Sequence, residues 1–145
     1  MSDEQQIANL IYTYAELMDA GDFAGVGELL DRAEVTFEGF DVVRTGAPVL
    51  NALYSATTRR YDDGTPRTKH VTTNVQIEVS GTTARARSYF TVLQAVPGAL
   101  ALQPIIAGRY RDEFTEVDGT WQFSARHVVV DLMGDLSAHL LMDLD

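Results

Sequence analysis

The apolar residues of this chain follow two different periods. Up to about residue 59 they recur at helical spacing, and from residue 67 onward they alternate. Ile7, Leu10, Ile11, Tyr14, Leu17 and Met18 mark one face of a first helix. Ser2-Asp3-Glu4-Gln5 reads as its capping box, with two acids in the first turn to suit the helix dipole. Ala20-Gly21 stops it, and Asp22 caps a short second helix through Leu29-Leu30. Glu34 to Phe40 is strand-like, with Val35 and Phe37 on one side. Asp41 turns it, and Val42-Val43-Arg44 returns as a second short strand. Thr45-Gly46-Ala47-Pro48 opens a third helix, whose apolar face is Val49, Leu50, Leu53 and Tyr54 and whose end lies near Thr58-Arg59.

The second part predicts four long strands. They run from Arg67 to Ser80, Thr83 to Val96, Leu102 to Val117 and Trp121 to Met133. Gly81, Pro97-Gly98 and Asp118-Gly119 punctuate them, the last being the strongest hairpin signal in the chain. The tail, Asp135 to Asp145, has a short apolar stretch suited to one helical turn packed on a neighbour. Helices first and a meander second imply α+β: a curved antiparallel sheet packed against three N-terminal helices. A sheet of such long strands curls, and helices over one face leave a cone with a cavity inside.

Composition narrows the function classes. A chain of 145 residues fits one domain over 1–145, with an ordinary apolar fraction of 46%. Net charge is −10, spread along the sequence, which disfavours nucleic acid and anionic membranes as partners. There is no cysteine, so disulfides and thiolate chemistry are excluded. No secretory signal or membrane-length apolar run is visible, and the expected location is cytoplasmic. The three histidines, His70, His127 and His139, have no metal-ligand spacing, and there is no phosphate-binding glycine loop or dinucleotide fingerprint. Neither a metal nor a cofactor is expected.

Candidate chemistry centres on His70, near the start of the first long strand, since an imidazole titrates near neutrality and can act as a general base. Asp19 sits in the last turn of the first helix, where the dipole opposes a carboxylate, and a histidine would compensate it. Tyr14 lies on the apolar face of that helix, and its hydroxyl needs a partner or faces a cavity. His127 and Asp131 share strand parity with Trp121, Phe123 and Val129, which reads as the inner face, so they are expected on the far wall of the pocket. Asn74 and Tyr110 are further pocket candidates. Arg85, Arg87, Arg109, Arg111 and Arg126 read as a charged outer face or oligomer contact, and His139 as exposed. His70 has the parity of Gln76 and Glu78, whereas Val75, Ile77 and Val79 form the apolar set. For His70 to face a cavity, the strand needs a bulge near Thr72-Thr73.

Taken in order, Tyr14-Ala15-x-x-x-Asp19-x-Gly21-Asp22-Phe23, Gly46-Ala47-Pro48, His70-x-x-x-Asn74-Val75, Gly108-Arg109-Tyr110-x-Asp112-Glu113-Phe114 and Asp118-Gly119-x-Trp121-x-Phe123 resemble the SnoaL-like branch of the nuclear-transport-factor-2-like superfamily over almost the whole length. The resemblance implies a cone-shaped α+β barrel with a pocket in its mouth. It extends to scytalone dehydratase, hexachlorocyclohexane dehydrochlorinase and bile acid 7α-dehydratase, whose Asp–His pair falls at Asp19 and His70, with a tyrosine of the last at Tyr14. The scytalone enzyme's serine and asparagine correspond instead to Gly108 and Tyr110, and an arginine of the dehydrochlorinase falls close to Leu132. The resemblance thus implies a cofactor-free lyase of the dehydratase type on a small, mostly apolar ring compound. An isomerase with the same proton-transfer residues, a non-catalytic small-molecule-binding or oligomerisation domain, and a subunit of a larger oxygenase are the alternatives. A homo-oligomer, trimer or dimer, is expected.

Overall fold

Three helices pack against one five-stranded sheet in the computed structural model, which describes residues 1–142. Helix α1 spans Asp3–Ala20, α2 Phe23–Leu29 and α3 Ala47–Thr57; the strands are β1 Glu34–Phe37, β2 Thr68–Ser80, β3 Thr83–Val96, β4 Leu100–Val117 and β5 Thr120–Met133. The Ser2 hydroxyl accepts from the Gln5 N–H, and the indole of Trp121 donates to Asp3 at 3.0 Å, tying the start of α1 to β5. At the other end Gly21 takes the left-handed conformation (φ 73°), and the N–H groups of Gly21 and Asp22 close onto Met18 and Leu17. Asp22 then caps α2 by accepting from Gly25.

The strand order is β1-β5-β4-β3-β2. The pairs among β2 to β5 are antiparallel as expected, but β1 runs parallel to β5, so the sheet is mixed, and it remains open with β1 and β2 at its edges. The expected return strand at Val42-Val43-Arg44 shrinks to a single bridge between Arg44 and Val35. The Asp118-Gly119 hairpin is built as its sequence predicts, with both residues at positive φ. Register shifts in β2, β3, β4 and β5 bend the sheet around its contents.

The inner face of the sheet meets α1 and α3 in one core that includes Ile7, Ile11, Phe23, Leu50, Phe114 and Phe123. The tail lies over β3 and the end of α3. Gln94, itself buried, donates to the carbonyls of Pro66 and Ala138, and Tyr61 also donates to Ala138. Leu140 bridges to Thr58, and His139 and Leu140 both donate to the Leu136 carbonyl, so the tail makes one helical turn. Residues 143–145 of the predicted tail lie outside the described residues. Among the described residues no helix is long and apolar enough to cross a membrane.

Candidate active site

The C-terminal turn of α1 and the first residues of β2 are held together by polar contacts on both sides. Arg60 donates to the Gly21 carbonyl, placing a cation at the negative end of the helix, and its guanidinium lies 4.7 Å over the Phe23 ring. Asp19 accepts the backbone N–H of His70 (2.8 Å) on one carboxylate oxygen. Its other oxygen takes the Thr68 hydroxyl (2.9 Å) and Nδ1 of His70 (2.6 Å). The two side chains are 12% and 7% exposed. Burial pushes the Asp19 carboxyl up, but the bonds and charge of His70, with the Thr68 bond, outweigh it and hold the carboxyl below its ordinary value. A carboxylate only accepts, so Nδ1 of His70 carries the proton of that bond, and Nε2 is the nitrogen left for a ligand.

A bulge turns His70 inward. β2 and β3 pair in register from Thr68 to Thr73 and again from Gln76, leaving Asn74 and Val75 unmatched. Asn74 takes φ 54°, a conformation that asparagine tolerates better than most residues. Before the bulge Thr68 and His70 face the core; after it Val75, Ile77 and Val79 do.

His70 lines an apolar cavity of about 300 Å³ between the helices and the inner sheet face. Phe37, Leu53, Phe90, Val92, Ile106 and Val128 form much of its wall. Tyr14, Tyr54 and Tyr110 also line it. The hydroxyls of Tyr14 and Tyr54 are 3.1 Å apart, and the Tyr14 ring stands edge-on to both His70 and Tyr110. Burial, then the neighbouring Tyr14, raises the hydroxyls of Tyr54 and Tyr110 well above the usual phenol range, so both are neutral donors. A larger depression, about 630 Å³, lies on the outer sheet face among Arg85, Arg87, Arg111 and Glu113 and is far more charged in its lining.

Of the residues singled out in the sequence, Asp19, His70, Tyr14 and Tyr110 come together here. Asn74 does not: it is exposed at the bulge. His127 and Asp131 do not either. Ser124 is an extra residue between the paired positions Phe123 and Ala125, which reverses the parity of β5 beyond it. His127 therefore faces out, bonded to the Thr36 hydroxyl at 2.7 Å, and Asp131 forms an exposed two-pronged pair with Arg109. The same reversal turns Arg126 inward, against the expectation of an outer-face arginine. It is fully buried, paired through two bonds with Asp112, and its guanidinium lies 3.8 Å from the Tyr110 ring centre and 4.3 Å from that of Tyr14. His139 is the other correction: it is 7% exposed and lines the cavity. Its signal was the flanking Leu136 and Leu140, an apolar pair four apart that draws the turn inward. Among the described residues no three metal-ligating side chains converge.

Solved structures share this architecture. A nuclear-transport-factor-2-like protein with a cystatin-like fold from Novosphingobium aromaticivorans superposes with a TM-score of 0.73 at 24% identity, covering 94% of this chain and 86% of that one. A protein of the same organism provisionally named a scytalone dehydratase gives 0.70 at 21%, covering 90% and 85%. The β subunit of a provisionally named aromatic-ring-hydroxylating dioxygenase, again from that organism, gives 0.69 at 18%, covering 94% of each chain. At these identities the likeness is one of fold. No curated protein matches the sequence significantly. The sequence model of the SnoaL-like domain matches residues 1–127, and the chain therefore belongs to the SnoaL-like domain family.

Proposed function

We propose that this protein is a cofactor-free lyase of the dehydratase type, acting on a small, mostly apolar ring compound. The observation that carries the reading is the Asp19–His70 pair opening onto an apolar cavity that also holds tyrosine hydroxyls. In this reading Nε2 of His70 takes a proton from a carbon next to an activating carbonyl. Asp19 fixes the tautomer and stabilises the imidazolium that forms, as a buried aspartate does in hydrolase triads. Tyr14 donates a hydrogen bond to the developing oxyanion or to the leaving oxygen. The electron pair left on carbon forms the new double bond as the C–O bond breaks, and the departing oxygen takes up the proton that His70 removed, leaving as water and returning the imidazole to its neutral form. The solved structure provisionally named a scytalone dehydratase supports the choice of an elimination.

The test is incubation with a panel of cyclic β-hydroxyketones in deuterated water, followed by NMR. Loss of water, abolished in His70→Ala with folding intact, is the expected result. Enzyme-dependent deuterium uptake at the α-carbon without elimination, abolished in His70→Ala, would instead show the same base acting without a leaving-group step, as the isomerase reading requires. Neither reaction on any member would leave the cavity a binding site and end the lyase reading.

A further inference from the structure

The proton-transfer scheme leaves the second histidine of the cavity, His139, without a task. His139 is buried to 7% exposure, and its Nδ1 is shut away from solvent with no hydrogen-bond partner among the described residues. Its backbone is fixed: the Arg59 N–H donates to its carbonyl at 2.8 Å, and its own N–H donates to Leu136. Gln94 holds the preceding residue, Ala138. The ring is therefore seated by bonds that do not use its nitrogens. No bond to either ring nitrogen is made among the described residues, and because Nδ1 is closed off, Nε2 is the nitrogen that a molecule in the cavity can reach. Polar atoms in native interiors are nearly always paired, so the ring points to a partner that arrives with the ligand.

We propose that His139 is a ligand-binding residue of this cavity, whose neutral imidazole hydrogen-bonds an uncharged oxygen, hydroxyl or carbonyl, on the ring compound held beside His70. The proposal rests on the cavity being the substrate site. Burial first, and then the charge of His70, push the His139 pKa down to about 4, with Asp19 opposing. At neutral pH the ring therefore has one donor and one acceptor and no charge. That suits a hydroxyl or a carbonyl and gives nothing to neutralise a carboxylate or phosphate. It also separates the two histidines: His70, with its carboxylate, is built to receive a proton, and His139 to orient what delivers it.

The experiment compares 2-naphthol with naphthalene as probes, with binding followed by NMR in wild type, His139→Leu and His139→Gln. The Gln94 side-chain amide reports whether the tail stays seated. With His139 as the oxygen's partner, His139→Leu weakens 2-naphthol by roughly three- to tenfold. Naphthalene binding stays unchanged, and His139→Gln restores part of the difference. Equal 2-naphthol affinity in wild type and His139→Leu would overturn the proposal and leave the Asp19–His70 reading standing. If His139→Leu loses its tail contacts, His139→Gln decides: a loss of naphthalene binding equal to the loss of 2-naphthol binding would overturn it. Failure of both probes to shift Tyr14 and Val92 in the wild type would reject the cavity as a ring-compound site, and this proposal with it.

Discussion

Asp19 holds His70 at two points, accepting its ring nitrogen at 2.6 Å and its backbone N–H at 2.8 Å. The second bond makes the aspartate structural as well as electrostatic, because it pins the strand to the helix at the residue whose ring must be aimed. Asp19→Ala leaves a buried N–H and the Thr68 hydroxyl without their acceptor. It is expected to cost about 1–3 kcal/mol in chemical unfolding. Asp19→Asn keeps an acceptor oxygen and should cost less stability, while impairing turnover as much as the alanine. Equal stability losses for the two variants would contradict the double role.

Gly21 sets where α1 ends and so where Asp19 stands. A Cβ there would meet the Gly64 carbonyl oxygen at 2.1 Å, and the residue sits at φ 73°. Gly21→Ala should lower stability by more than about 1 kcal/mol through the left-handed penalty alone. It should also push the 60–66 loop away and loosen the path into β2. The check is hydrogen exchange at the His70 amide, which should quicken in the variant; an unchanged rate would show that the loop absorbs the clash.

Asp112 and Arg126 form a pair with both side chains inaccessible, beneath the tyrosines of the cavity. Asp112→Asn leaves a buried guanidinium without a counter-charge, and a loss of about 3–5 kcal/mol is expected. Replacing both residues together, by leucine and methionine, should cost less than the single change. A double-mutant cycle in urea tests this, and an additive result would refute it.

His139 makes stability depend on pH in a defined direction. Its pKa is about 4 in the folded chain against an ordinary 6.5, so the unfolded state binds more protons between those values. The stabilisation is complete above pH 6.5 and is lost as pH falls toward 4, by as much as about 3 kcal/mol. The Asp19 carboxyl is held below its ordinary 3.8, so its contribution persists through this window and fades only beneath it. Unfolding curves at pH 7 and pH 4.5 should therefore converge in His139→Gln relative to wild type. A parallel pH dependence in the two proteins would assign the effect elsewhere.

Periodicity and turn chemistry carried most of the fold into view, because helix faces, capping residues and the Asp118-Gly119 hairpin are local properties. A carboxylate at a helix C-terminus lacks a local partner, and the resemblance to the SnoaL-like enzymes named His70 as the partner of Asp19. What stayed hidden was non-local. Ser124 gives no composition cue for a bulge, yet it exchanged the places of His127 and Arg126. The parallel partner of β1 depends on which strand lies beside it, and a four-residue segment does not encode that. His139 reads as a surface residue until the turn around it is seen lying on Gln94.

The unmatched pair Asn74-Val75 divides β2 into two segments that answer to different demands. The far segment must alternate to fill the core, and the near one must aim a single imidazole. With the irregularity between them, the near segment is free to change its chemistry without disturbing Val75, Ile77 and Val79 beyond it. Removal of one residue at the junction would fuse the two phases, leaving either the base in solvent or the valines there. The strand thus behaves as a hinge in sequence space, where new chemistry can be tried while the scaffold stays fixed.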